Sequence, residues 1–551
     1  MAFFGIDLGT SSCLVARLTE GLDEGDFSVR CLKDDDGDES FPSVISFLAP
    51  DQYVVGEKAV ERLVSSPDST VELIKVRLGT AETISVIAND TRILKSPQEL
   101  TGILLKHLKD TRSVQINDAV LTVPAFFDQS QKDATMSSGK IAGINVQQLI
   151  EEPTAALMYQ IFADYHDKGE DFFGVKNQKV VLVFDFGGGT LDLSLIRLTL
   201  KDGEVKPDVL AIGGDQKLGG NTIDFLFTKT ILNTLANWRE QDKFLSLASD
   251  VFDEYFSNYH NNRTLRFPDG VPEEIKAFIF RLKRNLEQVK ISLSTNTEEK
   301  IFIGRDVPPI PITRKDFETL IIDESDIGYR IEQALNEIAA VEISIDEVLL
   351  IGGSSQIPYL RKLIVEAFKR NRLPPEAIRF SSDYSQAVAK GAAIQAALRS
   401  GQPIRPFRYN QCTSIVPRDI LLYCGARPVR FVDRGTPYPF PQEKKLTISI
   451  PHALSESIPI RLSEVVRGVK GEREEKPICD YNYYLPLYYT NDPITFSMNI
   501  DSAGLYEIQA IHIPTSERVA IEPHKHYSLS DEECEQAAKT IEKMIDQSKR
   551  T

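Results

Sequence analysis

One device is written twice in this chain: a short apolar strand that runs into an aspartate and then into a turn of glycine and hydroxyl residues. The first copy is Gly5-Ile6-Asp7-Leu8-Gly9-Thr10-Ser11, and the second is Phe184-Asp185-Phe186-Gly187-Gly188-Gly189-Thr190-Leu191-Asp192. A glycine turn after a buried strand lets the backbone come close to an anion, presents consecutive N–H groups and keeps Cβ atoms out of the way. The acid separates these turns from ordinary ones. Asp7 and Asp185 sit where a carboxylate can hold Mg2+ through its waters while the amides hold phosphates. Either turn alone is as readily a plain strand end; both together, in two related lobes facing across a cleft, make nucleotide binding the better account. A third turn, Ile351-Gly352-Gly353-Ser354-Ser355, follows an apolar strand. Its paired glycines suit a ribose and adenine, because a flat ring can lie against bare backbone.

Around these turns the pattern is α/β from residue 1 to 400. Strands are expected at Phe3-Phe4-Gly5-Ile6 and at 119–123, 180–184 and 348–351, and helices at 96–111, 223–240, 273–294, 327–340 and 386–399. Beyond Pro403 the texture changes to short β-branched and aromatic runs parted by Gly, Pro, Asn and Asp, which reads as a small all-β domain. The expected units are an α/β region 1–400, a linker 401–417, an all-β domain 418–527 and a C-terminal helix stub 528–551. Ser530-Asp531-Glu532-Glu533 is a capping box that opens the last helix, with Cys534, Ala538, Ile541 and Ile545 on one face.

Composition removes several partners. With 63 Lys+Arg against 80 Asp+Glu, the net charge is −17, and no basic patch stands against it, so nucleic acid is excluded as a partner. The six cysteines never form C-x-x-C, no apolar run reaches the roughly 18 residues a bilayer requires, and the N-terminus lacks a basic leader. A cytoplasmic protein without membrane contact is expected. Lys75, taken alone, reads as a solvated surface residue.

The motifs resemble those of the DnaK-type (heat-shock protein 70) chaperones, within the superfamily that also holds actin and hexokinase. They are the two aspartate turns, Val123-Pro124-Ala125-Phe126-Phe127, Glu152-Pro153-Thr154-Ala155-Ala156, Leu218-Gly219-Gly220 and Ile351-Gly352-Gly353-Ser354, in family order over residues 1–400. The β-region matches through Arg434-Gly435-Thr436-Pro437-Tyr438-Pro439 and 499–505, and the short chain is most like the HscC-type branch. The resemblance implies an actin-like two-lobed ATPase followed by a β-sandwich that grips extended apolar segments of unfolded proteins. It implies ATP or ADP with Mg2+, with K+ as a second ion, a J-domain co-chaperone, a nucleotide-exchange factor, a monomer and a part in protein folding and the stress response.

Carried over by motif, Asp7 and Asp185 order magnesium waters, and Glu152 positions the attacking water or a magnesium water. Lys75 neutralises developing charge, Thr190 sits near the γ-phosphate and Asp192 orients the same network. Gly9, Thr10, Ser11, Gly187, Gly188, Gly189, Gly219 and Gly220 would hold phosphates. Glu287, Lys290, Ser294, Gly352, Gly353, Ser354, Gln356 and Ser385 would reach the ribose and adenine.

Departures from the family pattern matter as well. Gln356 stands where an arginine commonly stacks on adenine, with Ile291 opposite, and Ser385 replaces an acid. Lys132 replaces the arginine that pairs with Pro124, losing the planar fork. Gln148 and Glu151 replace Arg and Asn on the J-domain docking surface, which predicts a salt-sensitive contact with a basic partner surface. The linker stretch Asn410-Gln411-Cys412-Thr413-Ser414-Ile415-Val416-Pro417 is mostly polar. A second reading follows from these changes: a nucleotide-binding adaptor or exchange-type relative with little peptide binding.

Overall fold

The doubled device opens into two sheets on either side of a cleft. The computed structural model describes residues 2–21, 27–173, 177–238, 242–260, 265–304, 307–323, 325–369, 373–381, 383–407, 414–424, 428–440, 442–449, 457–467, 473–484, 493–501, 504–513, 515–521 and 529–549. In the first lobe the sheet runs Asn145–Glu151, Asp118–Val123, Ala2–Leu8, Ser12–Glu20, Phe27–Cys31, with Ser40–Pro42 also paired to Ser12–Glu20. In the second it runs Glu204–Asp215, Leu191–Lys201, Gln178–Phe186, Glu347–Ile351, Ile378–Phe380.

The two centres repeat each other. Each aspartate-bearing strand pairs antiparallel with the strand that follows its turn, Asp7 opposite Leu14 and Asp185 opposite Asp192. Each also pairs parallel with a strand from far along the chain, Gly5 opposite Val120 and Asp185 opposite Ile351. Such central strands are covered on both faces, so they read as unbroken apolar runs. The helices fall within a few residues of their expected positions, at Pro97–Asp110, Gly220–Trp238, Glu273–Leu293, Asp326–Ala339 and Ala387–Arg399.

The lobes join through two crossed helices, Glu152–Lys168 and Ala387–Arg399, the second of which also lies on the first sheet. Two glycines permit this. A Cβ on Gly391 would stand 1.7 Å from the Ala155 carbonyl oxygen, and one on Gly5 would stand 2.1 Å from the Ala393 nitrogen. Backbone meets backbone there, with no flexible side chain to yield. The surrounding core draws Ala155, Ala156, Val183, Leu349, Ala389 and Ala393 from both lobes into one cluster.

After the lobes comes a sandwich of two four-stranded sheets. One is Pro428–Val432, Ile420–Cys424, Ser457–Arg467, Arg473–Tyr484, and the other is Lys444–Ser449, Pro493–Ile500, Tyr506–His512, Glu517–Ile521. Ile420, Leu422, Leu462, Phe496, Met498 and Ala510 fill the space between them. Of the polar linker run, 410–413 lie outside the described residues. The residues around it are anchored by apolar contacts: Ile404, Phe407 and Ile415 belong to the hinge core, and Ser414–Ile415 pairs antiparallel with Pro437–Tyr438.

The last helix, Asp531–Lys543, opens with the expected capping box of Ser530 and Glu533. It packs against the first lobe, on Gln129–Ile141 and Pro97–Asp110. Its buried face is Cys534, Ala537 and Ile541, continued by Met544, and not the predicted set with Ala538 and Ile545. The helix stops one turn early, at Met544 in extended conformation, which turns Ile545 out to 50% exposure. No helix among the described residues is long and apolar enough to cross a membrane.

Substituting Gly391→Ala should lower the stability of the two joined lobes by roughly 3 kcal/mol, the upper end of overpacking costs. The midpoint of urea unfolding, followed by near-ultraviolet circular dichroism, checks this.

Candidate active site in the cleft

Where the two sheets end, five charged side chains are buried together. Asp7 and Asp185 each lie one residue from the end of their strands, Ala2–Leu8 and Gln178–Phe186, and Asp192 lies beside Asp185 on Leu191–Lys201. Glu152 opens the hinge helix Glu152–Lys168, and Lys75 begins a single 3-10 turn, Lys75–Arg77. Lys75 Nζ donates to Glu152 Oε1, joining two segments far apart in sequence. The surface reading of Lys75 therefore fails, and the family-implied placement in the cleft matches its burial.

Four carboxylates around one ammonium is an unfavourable arrangement in a dry site. Burial, with Glu152 nearby, pushes Asp7 up to about 7 and Asp192 up to about 7. Burial and the charges of Glu152, Asp192 and Asp7 raise Asp185 well above the usual carboxylate range. Burial opposes the charge on Lys75, but Glu152 and Asp7 outweigh it and raise its pKa. Local bonds help only partly: the Thr122 hydroxyl donates to Asp7 Oδ1 at 3.1 Å, and the Phe126 N–H donates to Asp192 Oδ1 at 3.3 Å. Asp192 Oδ2 is buried without a hydrogen-bond partner.

The glycine turns close over this cluster. The Gly220 N–H donates to the Gly187 carbonyl at 2.9 Å, and the Asn221 N–H donates to that of Gly188 at 2.8 Å, so the start of Gly220–Trp238 is tied to the second turn. Across the cleft, a Cβ on Gly188 would stand 2.0 Å from Ser11 Oγ, and one on Gly189 would stand 2.4 Å from Thr10 Oγ1. The two turns can face each other this closely only because these positions are bare. A cavity of about 110 Å³ opens beside them, lined by Thr10, Lys75, Thr190, Gln216 and Tyr259 among others.

On the far side, Ser354 Oγ donates to the Gly187 carbonyl at 2.9 Å, bringing the third turn to the second. Gly352, at φ +79°, leaves room beside the Phe186 carbonyl and the Asp185 carboxylate. Lys290 donates to the Gly220 carbonyl at 3.3 Å and pairs with Asp224 at 2.7 Å. Glu287 is half-buried on the same helix, and the Ser294 hydroxyl turns back to the Lys290 carbonyl at 3.5 Å. Gln356 is half-buried and Ser385 is exposed ahead of the Ala387–Arg399 helix.

Asp224 escaped the sequence reading. It lies inside a helix beside Ile223 and Phe225, and burial pushes it up to about 6. A lone acid between large apolar residues in a helix was the available signal.

The donor set suits a hydrated divalent cation with a polyphosphate. Its carboxylates repel one another, one carboxylate oxygen is orphaned, and bare backbone turns surround them. Among the described residues no three acid, histidine or cysteine groups lie close enough to ligate a metal directly.

The β-sandwich reaches the same cluster through one residue. Arg418 is buried, pairs with Glu464 at 3.0 Å and donates from Nη2 to the Phe126 carbonyl at 2.5 Å. Gln216 also donates to that carbonyl, while the N–H of Phe126 serves Asp192. Nearby, Glu151 accepts from Ser414 at 2.8 Å and from the Tyr438 hydroxyl at 2.5 Å, and Lys132 lies over the Tyr438 ring. Arg434 donates to the Ile212 carbonyl at 2.9 Å and to Glu337 at 3.1 Å. Gln148 is buried and accepts from Gln395 of the hinge helix at 3.0 Å. Two residues expected to face a co-chaperone are thus engaged inside the chain.

A two-lobed, actin-like ATPase fold with a β-sandwich docked on it defines the class. The Hsp70 protein family model matches residues 3–251 and 245–551, so the chain belongs to the Hsp70 family, as a DnaK-type chaperone. It is 28% identical over 564 residues to the chaperone protein DnaK of Elusimicrobium minutum, covering 99% of this chain and 81% of that one. It is 28% identical to the DnaK of Thermotoga petrophila and 29% identical to that of Thermotoga neapolitana, each over 572 residues, 99% of this chain and 83% of the relative.

The charge cluster has a measurable cost. A carboxyl whose folded pKa is raised costs nothing below its unfolded value, and the cost grows as pH rises to the folded value. Asp192→Asn should therefore stabilise the nucleotide-free protein by on the order of 2 kcal/mol at pH 8. The gain should shrink towards pH 4. Thermal melting of both proteins across that pH range checks it.

Proposed function

We propose that the chain binds Mg·ATP between its lobes, hydrolyses it slowly, and uses the nucleotide state to control the grip of the β-sandwich on extended apolar segments of unfolded proteins. The observation that carries this reading is the buried cluster of Asp7, Glu152, Asp185 and Asp192 around Lys75, roofed by bare glycine turns. The bound cation would supply charge neutralisation on the phosphates. Asp7 and Asp185, with Glu152, would hold it through water.

The remaining roles belong to the chain's own groups. Phosphoryl transfer needs placement and charge compensation more than covalent help. The amides of Gly9, Thr10, Ser11, Gly187, Gly188 and Gly189 take the phosphate oxygens, with Gly219 and Gly220 behind them. Thr190 lies by the terminal phosphate, Lys75 stabilises its developing charge, Glu152 orients the attacking water and Asp192 supports that network. Lys290, fixed by Asp224, and Glu287, Ser294, Gly352, Gly353, Ser354, Gln356 and Ser385 line the nucleoside end. K+ is a second ion this acidic site would accept.

The adaptor reading is not favoured, because the β-sandwich keeps both sheets and its own core. Unfolded polypeptide, a J-domain co-chaperone and an exchange factor are the partners of this reading, and the cytoplasm is its location. With Glu151 held by Ser414 and Tyr438, a co-chaperone that uses this carboxylate must act when the β-sandwich has moved away.

Lys75→Ala should reduce single-turnover ATP hydrolysis at least ~100-fold, a typical loss for one stabilising group, while ATP still binds by fluorescence titration. Hydrolysis at the original rate would reject the assignment.

A further inference from the structure

The C-terminal segment does more than cap a helix. After Met544 the chain adds a strand, Ile545–Asp546, parallel to the first-lobe strand Gln52–Val55, with Ile545 opposite Gln52 and Asp546 opposite Tyr53. It becomes the edge of a four-stranded sheet built otherwise from Gln52–Val55, Ile45–Ala49 and Thr70–Val71. The Ile545 N–H donates to the Asp51 carbonyl and the Gln547 N–H to the Tyr53 carbonyl, both at 2.8 Å. Ser548 Oγ accepts from the Val55 N–H at 2.6 Å, and its carbonyl accepts from Lys58 at 2.9 Å. Asp546 and His107 meet at 2.6 Å with both side chains almost fully buried, and Lys549 pairs with Asp110 at 2.7 Å.

This attachment is specific but small. The ladder has two residue pairs, Ile545 is half exposed, and the helix before it buries little beyond Cys534, Ala537 and Ile541. Its position in the topology gives it leverage. The β-sandwich enters from the hinge through Ser414–Ile415 and leaves at Ile521, ten residues before the helix Asp531–Lys543. A chain of that length reaches only about 3.5 Å per residue. Seated at both ends, the sandwich is tethered to the lobes from two sides, and there Arg418 holds Phe126 and Arg434 holds Glu337.

We propose that residues 544–549 are a detachable latch: clipped to the edge of Gln52–Val55 and to His107, they hold the β-sandwich against the ATPase lobes, and their release permits it to leave. The occupant of this edge is the chain's own tail. The inference requires the docked geometry but not the peptide-binding reading, so a failure of either leaves the other testable.

Hydrogen exchange read by mass spectrometry on the full-length, nucleotide-free protein tests it. In the double variant Asp546→Asn, Ser548→Ala, exchange should rise at least tenfold both in segment 52–55 and in the distant interface segment 428–438. A disulfide between Gln52→Cys and Ile545→Cys, confirmed by peptide mapping, should slow both, and reduction should reverse it. Faster exchange at 52–55 alone would make the tail a plain edge strand and overturn the proposal. No change at either segment would overturn it too. So would concentration-dependent protection of 52–55, which would place the tail on a second copy.

Discussion

Four carboxylates and one ammonium buried where two sheets meet are the constraint on which the rest of this structure depends. Isolated, such a group would shed its charge, because desolvation costs several kcal/mol per ion. Asp7, Asp185 and Asp192 respond in that way, each raised far above the ordinary carboxylate range. The fold accepts this cost at the closed end of a cleft, where a hydrated cation and phosphates would relieve it on binding. The close helix crossing at Gly391 and the facing glycine turns bring these charges together.

The same burial gives the β-sandwich something to act on. Phe126 is held at both backbone atoms, its N–H by Asp192 and its carbonyl by Arg418 and Gln216. A shift of the sandwich that withdraws Arg418 leaves that carbonyl with one donor fewer, next to the Asp192 carboxylate, whose Oδ2 already has no partner. Arg418 would keep its partner in such a shift, because Glu464 belongs to the same sandwich and the pair travels intact. Two packed states with a barrier between them are the physical content of such coupling.

Legibility followed the range of the interactions. Asp7, Asp185 and the glycine turns were readable because strand, acid and turn are local and the requirement for bare backbone is written in the residues themselves. Lys75 was not: its role comes from Glu152, which lies 77 residues further along the chain, and only the family pattern placed it. Arg418 shares that difficulty, since an arginine in a bend between two strands looks like a surface residue until its partners arrive. The final helix was legible in its cap but not in its face, because tertiary pairing at Gln52–Val55 ended it a turn early. In the mostly polar linker run Ile415 joins the hinge core, with Ile404 and Phe407 doing so ahead of it.

The central claim is that nucleotide in the buried charge cluster governs the β-sandwich. The dissociation rate of a fluorescent, extended apolar peptide from the full chain, measured with ADP and then after mixing with Mg·ATP, tests it most directly. The account predicts release accelerated at least ~10-fold, the effect of about 1.4 kcal/mol of coupling. A rate that ignores ATP would contradict it.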